Sequence, residues 1–290
     1  MPEARTYHYD AAPAISIGRR AQQEDAVAVD FAEGADVGFV VLADGMGGHA
    51  AGDLASRIAV TEVFSALKML CDDPAAMEDR IGEILLQAVS HANACIGDAA
   101  RDSQNLSGMG TTLVSPVVFG NRLYWVSVGD SALYLLRGSR LYRLNQEHSL
   151  ARRMDALVAA GKLARDAADQ HPERDCLTSA LTGQRIPEID CCRTCVDLHD
   201  GDILIAASDG LGYIGATAIA QTVYAKRDAS SGDIGAALLK AIRDLDDPEQ
   251  DNVALCVLKT KAHVHSEQYT SLAAIRQRQE HTPDHEGARR

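Results

Sequence analysis

The spacing of apolar residues along the chain predicts two long helices in its first third. Between residues 50 and 69, Leu54, Ile58 and Phe64 keep the spacing of one helical face. Between residues 78 and 99, apolar positions recur three and four residues apart as a single stripe. Two more helices are predicted over 216–224 and 234–245.

Shorter runs of aliphatic and β-branched residues predict a series of strands. These runs are 26–29, 37–43, 111–119, 123–128, 132–137, 189–196, 203–207 and 253–258. Gly-Asn, Gly-Asp and Gly-Ser pairs at the breaks predict antiparallel hairpins, one of them at Gly129-Asp130-Ser131. Many strands with helices arriving in pairs favour sheets covered by helices over a regular β-α-β alternation.

The organisation of the chain is most simply explained by one domain over residues 14–261. No internal repeat or linker divides this range, and 290 residues suffice for a full apolar core. The polar segment 262–290 is predicted to be a partly disordered tail with a short helix near 271–280. The histidines of this segment are expected to be solvated; they are His263, His265, His281 and His285.

Composition and charge narrow the class of protein. Apolar residues make up 46% of the chain and charged residues 24%, as in ordinary globular proteins. A formal net charge of −13 argues against binding to nucleic acid or to anionic membranes, which require a basic surface. No apolar run is long enough to span a membrane, and the first residues do not resemble a secretory signal. Seven cysteines without an export signal predict free thiols. We therefore expect a cytoplasmic protein, most simply a monomer.

Two predicted strands end in the same unusual way. The apolar run 38–43 leads directly into Asp44-Gly45, and the run 203–208 leads into Asp209-Gly210. A carboxylate at the edge of a buried strand is costly unless it is paired or binds a metal ion. Asp251 stands in the mirror-image position, before a strand, so that three carboxylates are predicted at strand ends.

Clustered carboxylates of this kind suit Mg²⁺ or Mn²⁺, which prefer oxygen ligands. A single Asp-Gly pair is more often only a turn, but the repetition at buried strands favours a metal site. Glu24-Asp25, before a strand, and Asp130 add further candidates.

Seven short motifs stand in one order along the chain. They are Arg20-Ala-Gln-Gln-Glu24-Asp25-Ala26, Asp44-Gly-Met-Gly-Gly-His49, Gly108-Met-Gly-Thr-Thr112, Gly129-Asp-Ser131, Leu177-Thr-Ser-Ala-Leu181, Ser208-Asp-Gly-Leu211 and Asp251-Asn252. Together they resemble the motif series of the metal-dependent, type 2C serine/threonine protein phosphatases in their compact bacterial form. The resemblance covers about residues 16–258.

This resemblance implies a four-layer α/β (α+β) sandwich, in which two antiparallel sheets lie between helix pairs. It also implies a centre of two Mn²⁺ or Mg²⁺ ions, bridged by Asp44. Asp209 and Asp251 would complete the ligands of one ion, and the Gly45 carbonyl would serve the other. Asp130 would help to hold a third ion, and Glu24 and Asp25 would act through water or other ligands.

The activity implied by the resemblance is hydrolysis of phosphoserine and phosphothreonine in proteins, in opposition to a kinase. A water activated by the two ions would attack phosphorus in a single step, without a phosphoenzyme. Arg20 stands where the family has its phosphate-binding arginine, and its planar guanidinium can hold two phosphoryl oxygens. Arg19 is expected to be an ordinary surface residue.

The chain departs from the family pattern at several positions. Met46 stands where animal relatives have a histidine acid, so a metal-bound water is the better candidate for the acid. His49 is expected to be structural. Ala132 and Ser179 replace two arginines that are common in the family, which leaves local bracing or substrate contacts open.

The segment 145–175 matches the mobile flap of the family. It is locally basic, and Arg152, Arg153 and Arg165 are its candidate substrate contacts. Two interpretations remain open: a surface that receives a phosphorylated segment, and an ordinary solvated helix face.

Three other interpretations were weighed against this one. Cys191, Cys192 and Cys195 lack the further ligands of a zinc knuckle and lie on a predicted strand. The glycines after Asp44 resemble a dinucleotide-binding turn, but Asp44 would repel a pyrophosphate and β-α-β units do not follow. A phosphatase-shaped binding module without activity is disfavoured because Asp44, Asp209, Asp251 and Arg20 are all present.

Overall fold

The computed structural model describes residues 5–32, 37–47, 50–102 and 104–264. Its strands are β1 (Arg5–Ser16), β2 (Asp25–Asp30), β3 (Val37–Met46), β4 (Gly110–Thr111), β5 (Leu113–Phe119), β6 (Arg122–Val128), β7 (Ala132–Arg137), β8 (Arg140–Arg143), β9 (Asp190–Asp197), β10 (Ile203–Ala207) and β11 (Val253–Val264). Its helices are α1 (Ala50–Lys68), α2 (Pro74–Asp79), α3 (Ile81–Asp102), α4 (Leu150–Ala159), α5 (Arg165–Asp169), α6 (Gly215–Ala225) and α7 (Ser231–Arg243). Short 3₁₀ segments lie at Gln104–Leu106 and Asp209–Ile214.

The strands form two antiparallel sheets. One sheet has the order β1-β11-β10-β7-β8, and the other has the order β2-β3-β5-β6-β9 with β4 paired to the end of β3. The two sheets pack face to face through an apolar layer that includes Leu42, Val114, Leu204 and Leu258.

The central strands alternate their side chains between two apolar layers. In β3, Phe39 and Val41 pack toward α1 and α3, whereas Leu42 packs toward the sheet that contains β10. In β10, Leu204 faces the sheet that contains β3, and Ile205 faces the layer beneath α6 and α7. Burial on both faces explains why these strands appear in the sequence as unbroken apolar runs.

Helix pairs cover the outer faces of both sheets. The stripe of α3, which includes Leu85 and Ile96, joins Leu67 of α1 against one sheet. Ile219 of α6 and Leu238 of α7 cover the other. The predicted fold class, a four-layer sandwich with helix pairs outside two antiparallel sheets, is confirmed.

The helix predicted over 78–99 is in fact divided. A separate helix, α2, begins at Pro74, and the side chain of Asp73 accepts a hydrogen bond from the Ala76 N–H at 3.1 Å. Arg80 leaves the helical conformation at φ −116° and ψ 13°, and α3 then begins at Ile81. An apolar stripe that continues through a break cannot reveal it, because both helices bury the same side.

The prediction of a hairpin at Gly129-Asp130-Ser131 is wrong. β6 and β7, on either side of it, lie in different sheets, so this segment crosses the sandwich. Gly129 has φ +100°, and its N–H and C=O both bond to His148 rather than across a two-residue turn. A Gly-Asp signal indicates a turn but does not specify which strand is paired next.

Two edge strands, β1 and β8, were not predicted from the sequence. β1 pairs with β11 over their whole lengths, so the sheet extends on both sides of the predicted 14–261 range. His49 and the segment from 265 onward, with its predicted helix and its histidines, lie outside the described residues. Within the described part of the chain, no helix is both long and apolar enough to cross a membrane.

Candidate metal centre

Acidic side chains from both sheets meet at one end of the sandwich. In antiparallel sheets the end of one strand lies beside the start of the next, so segments far apart in sequence come together there. The acids at this end are Glu24 and Asp25 at the start of β2, Asp44 near the end of β3, Asp130 between β6 and β7, Asp209 after β10 and Asp251 before β11.

Asp25 and Asp44 form the inner part of this cluster. They lie directly opposite each other in the antiparallel pair of β2 and β3. Like charges in that position destabilise a sheet. Asp25 is only 6% exposed, and the Ser208 hydroxyl donates a hydrogen bond to its Oδ2 at 2.8 Å. The two strands are therefore paired in a register that requires a compensating positive charge or a proton.

The pKa of Asp44 also indicates that this cluster requires a compensating positive charge or a proton. Burial, and then the charges of Asp25 and Asp209, raise the pKa of Asp44 well above its usual range. The carboxyl groups of Asp25 and Asp209 both lie within hydrogen-bonding reach of Asp44. Burial and the neighbouring charge of Asp251 also raise the pKa of Asp209. The negative charges of Asp25, Asp44 and Asp209 therefore repel one another, and this repulsion favours the protonated form of each.

Two flanking carboxyl groups are shifted toward neutral pH. Burial, with an added contribution from Asp209, raises the pKa of Asp130 to about 7. The pKa of Asp25 is also raised to about 7, first by burial and then by Asp209 and Asp251, against the lowering effect of the Ser208 hydrogen bond. Desolvation is the main cause in both cases, so the cluster lies at the rim of the core as predicted.

The backbone around Asp44 is packed too closely for any side chain at the next position. A Cβ on Gly45 would lie 2.1 Å from the carbonyl oxygen of Gly52 in α1. The Gly45 N–H donates to the Glu24 carbonyl at 3.0 Å. Glycine is therefore required for α1 and the start of β2 to approach the Asp44 turn.

A cleft of about 440 Å³ opens over the cluster. Its lining includes the predicted residues Arg20, Glu24, Asp44, Gly45, Asp130, Asp209 and Asp251. Asp25 is not part of this lining and lies beneath it. The Nη2 of Arg20 donates to Asp251 Oδ2 at 2.5 Å, whereas Arg19 pairs with Asp246. Seven of the residues predicted from the sequence thus line one cleft, and the eighth, Asp25, is buried beside them.

The predicted flap arginines are placed differently. Arg153 pairs with Glu188 at 2.6 Å, and Arg165 pairs with Asp155 at 2.7 Å. Arg152 donates to the Gln146 side chain and to the Glu147 carbonyl. None of the three is among the lining residues of the cleft, where the end of this segment contributes Asp175. Carboxylates therefore balance the positive charges of Arg153 and Arg165, whereas Arg152 bonds only to neutral oxygens.

Other contacts occur at Ala132 and Ser179, the two positions where the family commonly has arginine. At Ala132 a hollow of about 530 Å³ adjoins the cleft, and the side chain of Arg143 lines it. Arg143 donates to the Asp130 carbonyl and pairs with Glu147. The hydroxyl of Ser179 donates to the Glu188 carbonyl at 2.6 Å and accepts from the Glu188 N–H at 3.1 Å. The side chain of Arg143, from β8, thus holds the segment that contains Asp130, and the two hydrogen bonds of Ser179 hold the segment at Glu188.

Three further residues of the site have structural functions that the sequence does not predict. The Asn252 side chain accepts from the Glu24 N–H at 2.7 Å and donates to the Ile17 and Gln22 carbonyls. The Thr112 hydroxyl accepts from the Asp44 N–H at 3.0 Å. Asp175 adds a further carboxylate to the cleft wall. The only sequence evidence for these residues is their position within or beside the motifs. The hydrogen-bond partners of Asn252 and Thr112 are distant in sequence, so the bonds could not be predicted.

The residues of the cleft fit divalent cations. Five of the predicted aspartates converge in and beneath the cleft, and four of these five have pKa values raised by burial and by one another. Hard cations relieve this repulsion and prefer carboxylate and carbonyl oxygens. Asp44 interacts with both Asp25 and Asp209, which suits a carboxylate shared by two ions.

Comparison with known families agrees with this geometry. A family model described as protein phosphatase 2C matches residues 16–189. The chain belongs to the protein phosphatase 2C family. Among curated proteins, it is 36% identical over 195 residues to the serine/threonine protein phosphatase PstP of Mycobacterium tuberculosis. That match covers 66% of this chain and spans 34% of the relative's length.

Solved structures of phosphatases share the fold. The serine/threonine phosphatase of S. agalactiae superimposes with a TM-score of 0.74 and 27% identity, covering 87% of this chain and 99% of that one. The catalytic domain of PstP in complex with two manganese ions superimposes with a TM-score of 0.64 and 29% identity. That comparison covers 89% of this chain and all of the PstP domain. The protein phosphatase 2C fold therefore extends well beyond the residues matched by the family model.

Proposed function

We propose that this chain is a metal-dependent protein phosphatase that hydrolyses phosphoserine and phosphothreonine esters. The observation that carries the proposal is the meeting of Asp44, Asp209 and Asp251 in one cleft beside Arg20. Membership of the protein phosphatase 2C family supports it. The catalytic PstP domain with two manganese ions, a structural neighbour, supports Mn²⁺ or Mg²⁺ as the cofactor.

The ligand set follows the positions of the carboxyl groups. Asp44 would be shared by two ions, because its carboxyl group interacts with those of both Asp25 and Asp209. Asp209 and Asp251 would serve one ion and the Gly45 carbonyl the other, with Asp130 placed for a third. When bound, two such ions offset the charge of a phosphate dianion and activate a water nucleophile. We propose that Glu24 and Asp25 support these ligands indirectly.

The chain's own residues would hold the substrate and keep the ligands in place. Arg20 uses one nitrogen to bind Asp251, and a guanidinium has further donors for phosphoryl oxygens. The hydroxyl of Ser208 fixes Asp25, and that of Thr112 fixes the Asp44 backbone. Asn252 ties the start of β2 to the segment before β11. These bonds orient the carboxylates before any ion arrives, which lowers the cost of assembling the site.

The dinucleotide-binding alternative is not supported by the topology. β3, which precedes the glycine-rich turn, is antiparallel to its neighbours β2 and β5. A dinucleotide fold requires parallel strands joined by crossover helices. Asp44 also lines the cleft where a pyrophosphate would have to lie.

We propose phosphorylated proteins as substrates and a serine/threonine kinase as the opposing enzyme. The cleft is open, and the segment that carries α4 and α5 forms one of its walls through Asp175 and Leu177. The seven cysteines are free thiols, which supports action in a reducing compartment such as the cytoplasm. The monomeric state stays a prediction.

The test of the function is hydrolysis of a phosphothreonine peptide by the full chain. With Mn²⁺ we expect phosphate release, and with excess chelator we expect that release to stop and to return when Mn²⁺ is restored. A phosphotyrosine peptide of the same sequence serves as the comparison substrate. Absence of phosphate release, despite measured Mn²⁺ binding, would leave the inactive binding module as the better interpretation.

Arg20 and Arg19 provide a matched pair of variants. Both side chains are about equally exposed, at 56% and 55%, and each pairs with an aspartate, but only Arg20 lines the cleft. We expect Arg20→Ala to lower kcat/KM by about 10- to 100-fold, since charge-assisted hydrogen bonds contribute roughly 1.5–3 kcal/mol. Arg19→Ala is expected to remain within about twofold of the parent enzyme, in keeping with an exposed ion pair. Equal losses in both variants would remove the phosphate-binding role from Arg20.

A further inference from the structure

Three metal-ligating side chains meet on the outer helical layer, away from the cleft. Glu62 lies in α1, and His91 and Cys95 lie four residues apart in α3. Residues four apart share one face of a helix, so both α3 side chains point toward the same part of α1. One potential ligand atom from each lies within 4.8 Å of the other two.

The distances in this group match those of a tetrahedral zinc ion. His91 Nε2 lies 3.1 Å from Glu62 Oε2 and 3.8 Å from Cys95 Sγ. Typical zinc bond lengths at tetrahedral angles place nitrogen and oxygen ligands about 3.4 Å apart, and nitrogen and sulfur ligands about 3.6 Å apart. The two distances at His91 each differ from these values by only a few tenths of an ångström, and the Glu62 and Cys95 ligand atoms lie within 4.8 Å of each other. An ordinary histidine–glutamate ion pair does not require a thiol at this distance as well.

We propose that Glu62, His91 and Cys95 form a second metal site, for Zn²⁺, with water as the fourth ligand. A thiolate, an imidazole and a carboxylate are the donors that zinc combines, whereas Mg²⁺ and Mn²⁺ favour oxygen alone. The His91 side chain is 64% exposed and leaves room for the water ligand. The carboxylate of Asp98 also acts on Cys95, but its charge is paired with that of Arg101, so Glu62 supplies the carboxylate of the site.

The site is separate from the centre in the cleft. Glu62 lies about 15 Å along the axis of α1 from Gly52, the residue that touches the Asp44 turn. The two sites also differ in chemistry, because the acids of the cleft provide only oxygen ligands and the helical site includes sulfur. Each site can therefore be observed in the presence of the other.

A metal ion at this site would link α1 and α3, and both helices contact segments next to the cleft. The side chain of Asn93, between the two α3 ligands, accepts hydrogen bonds from the N–H groups of Thr182 and Gly183. Leu181, next to them, is paired with Thr111, and the following residue, Thr112, lines the cleft. A metal ion between α1 and α3 would thus fix the helix that supports this loop. Zinc binding is expected to raise the thermal stability of the protein by mass action.

Cobalt binding to the full chain tests the proposal without measuring activity. With the cleft saturated by Mg²⁺, Co²⁺ is titrated and the near-ultraviolet thiolate-to-cobalt charge-transfer band is followed. We expect this band together with the visible spectrum of tetrahedral cobalt, and we expect Zn²⁺ to displace both. Oxygen ligands in the cleft cannot give the thiolate band.

Variants assign the band to these residues. Cys95→Ser is expected to abolish it, and His91→Gln to weaken cobalt binding by about 100-fold or more, since even partners that only orient ligands cost 10- to 100-fold. Cys176→Ser, at an exposed thiol outside this group, is the control and is expected to keep the band. A band that survives Cys95→Ser, or no thiolate band in the folded parent protein, would overturn the proposal.

Discussion

Replacement of Asp209 by asparagine is expected to abolish hydrolysis of a phosphothreonine peptide while the fold survives. The change keeps the size of the side chain but removes a charge that lies next to Asp44 and Asp251. We expect kcat/KM to fall by about 1,000-fold or more, the loss that follows when several kcal/mol of charge stabilisation is removed. Mn²⁺ affinity, measured by calorimetry, is expected to fall as well.

The same variant is expected to be more stable than the parent when no metal is present. Asp209 contributes to the raised pKa values of Asp25, Asp44 and Asp130, so its removal relieves repulsion in the folded state. The urea midpoint in chelator is the measurement. Asp246→Asn, at an exposed aspartate outside the cleft, is the control and is expected to retain activity. Undiminished turnover in Asp209→Asn would refute the metal role of Asp209.

Removal of metal is expected to make stability fall as pH rises. Free aspartates titrate near pH 4, but Asp25 and Asp130 in the folded chain have pKa values of about 7, mainly because they are buried. The folded state therefore holds protons that the unfolded chain has already lost. In chelator, the contribution of these groups to the free energy of unfolding is greatest below about pH 4 and declines up to about pH 7.

Bound Mn²⁺ is expected to reverse this slope, because the cation binds the deprotonated carboxylates. Urea unfolding at pH 5 and pH 8, with chelator and with Mn²⁺, measures both slopes. We expect the metal-dependent gain in the free energy of unfolding to increase by several kcal/mol across this range. The gain is expected to be smaller in Asp209→Asn. An equal metal effect at both pH values would show that the cluster is not titrating in the folded state.

The sequence predicted the interior of the fold better than its edges. The strands β7 and β10 have the predicted bounds because β10 is buried over its whole length and β7 buries four of its six residues. β1 contains Pro13 and lies at the edge of its sheet, and only part of β1 reaches the central apolar layer. The strand β8 is a four-residue edge with no buried residue. Such strands depend on a partner for their structure, and their own pattern shows little of it.

In the candidate site, the acids at strand ends could be predicted from the sequence, but the contacts between distant segments could not. Asp44 and Asp209 could be found because each ends an apolar run, a feature visible locally. The contribution of Asn252 depends on the N–H of Glu24, which is 228 residues away in sequence. The hairpin predicted at Asp130 was wrong for a related reason, since the choice of sheet depends on the whole topology. Local patterns predicted the acids, but not the bonds that hold them together.

The pairing of β1 with β11 has a consequence for the synthesis of the protein. The ribosome makes β1 early and β11, its only described neighbour in the sheet, almost 240 residues later. At roughly 5–20 residues per second, β1 waits for tens of seconds before its partner exists. Asp251 is also made at the end of this interval. The cluster of aspartates in the cleft is therefore incomplete on the ribosome until Asp251 has been made and β11 has paired with β1.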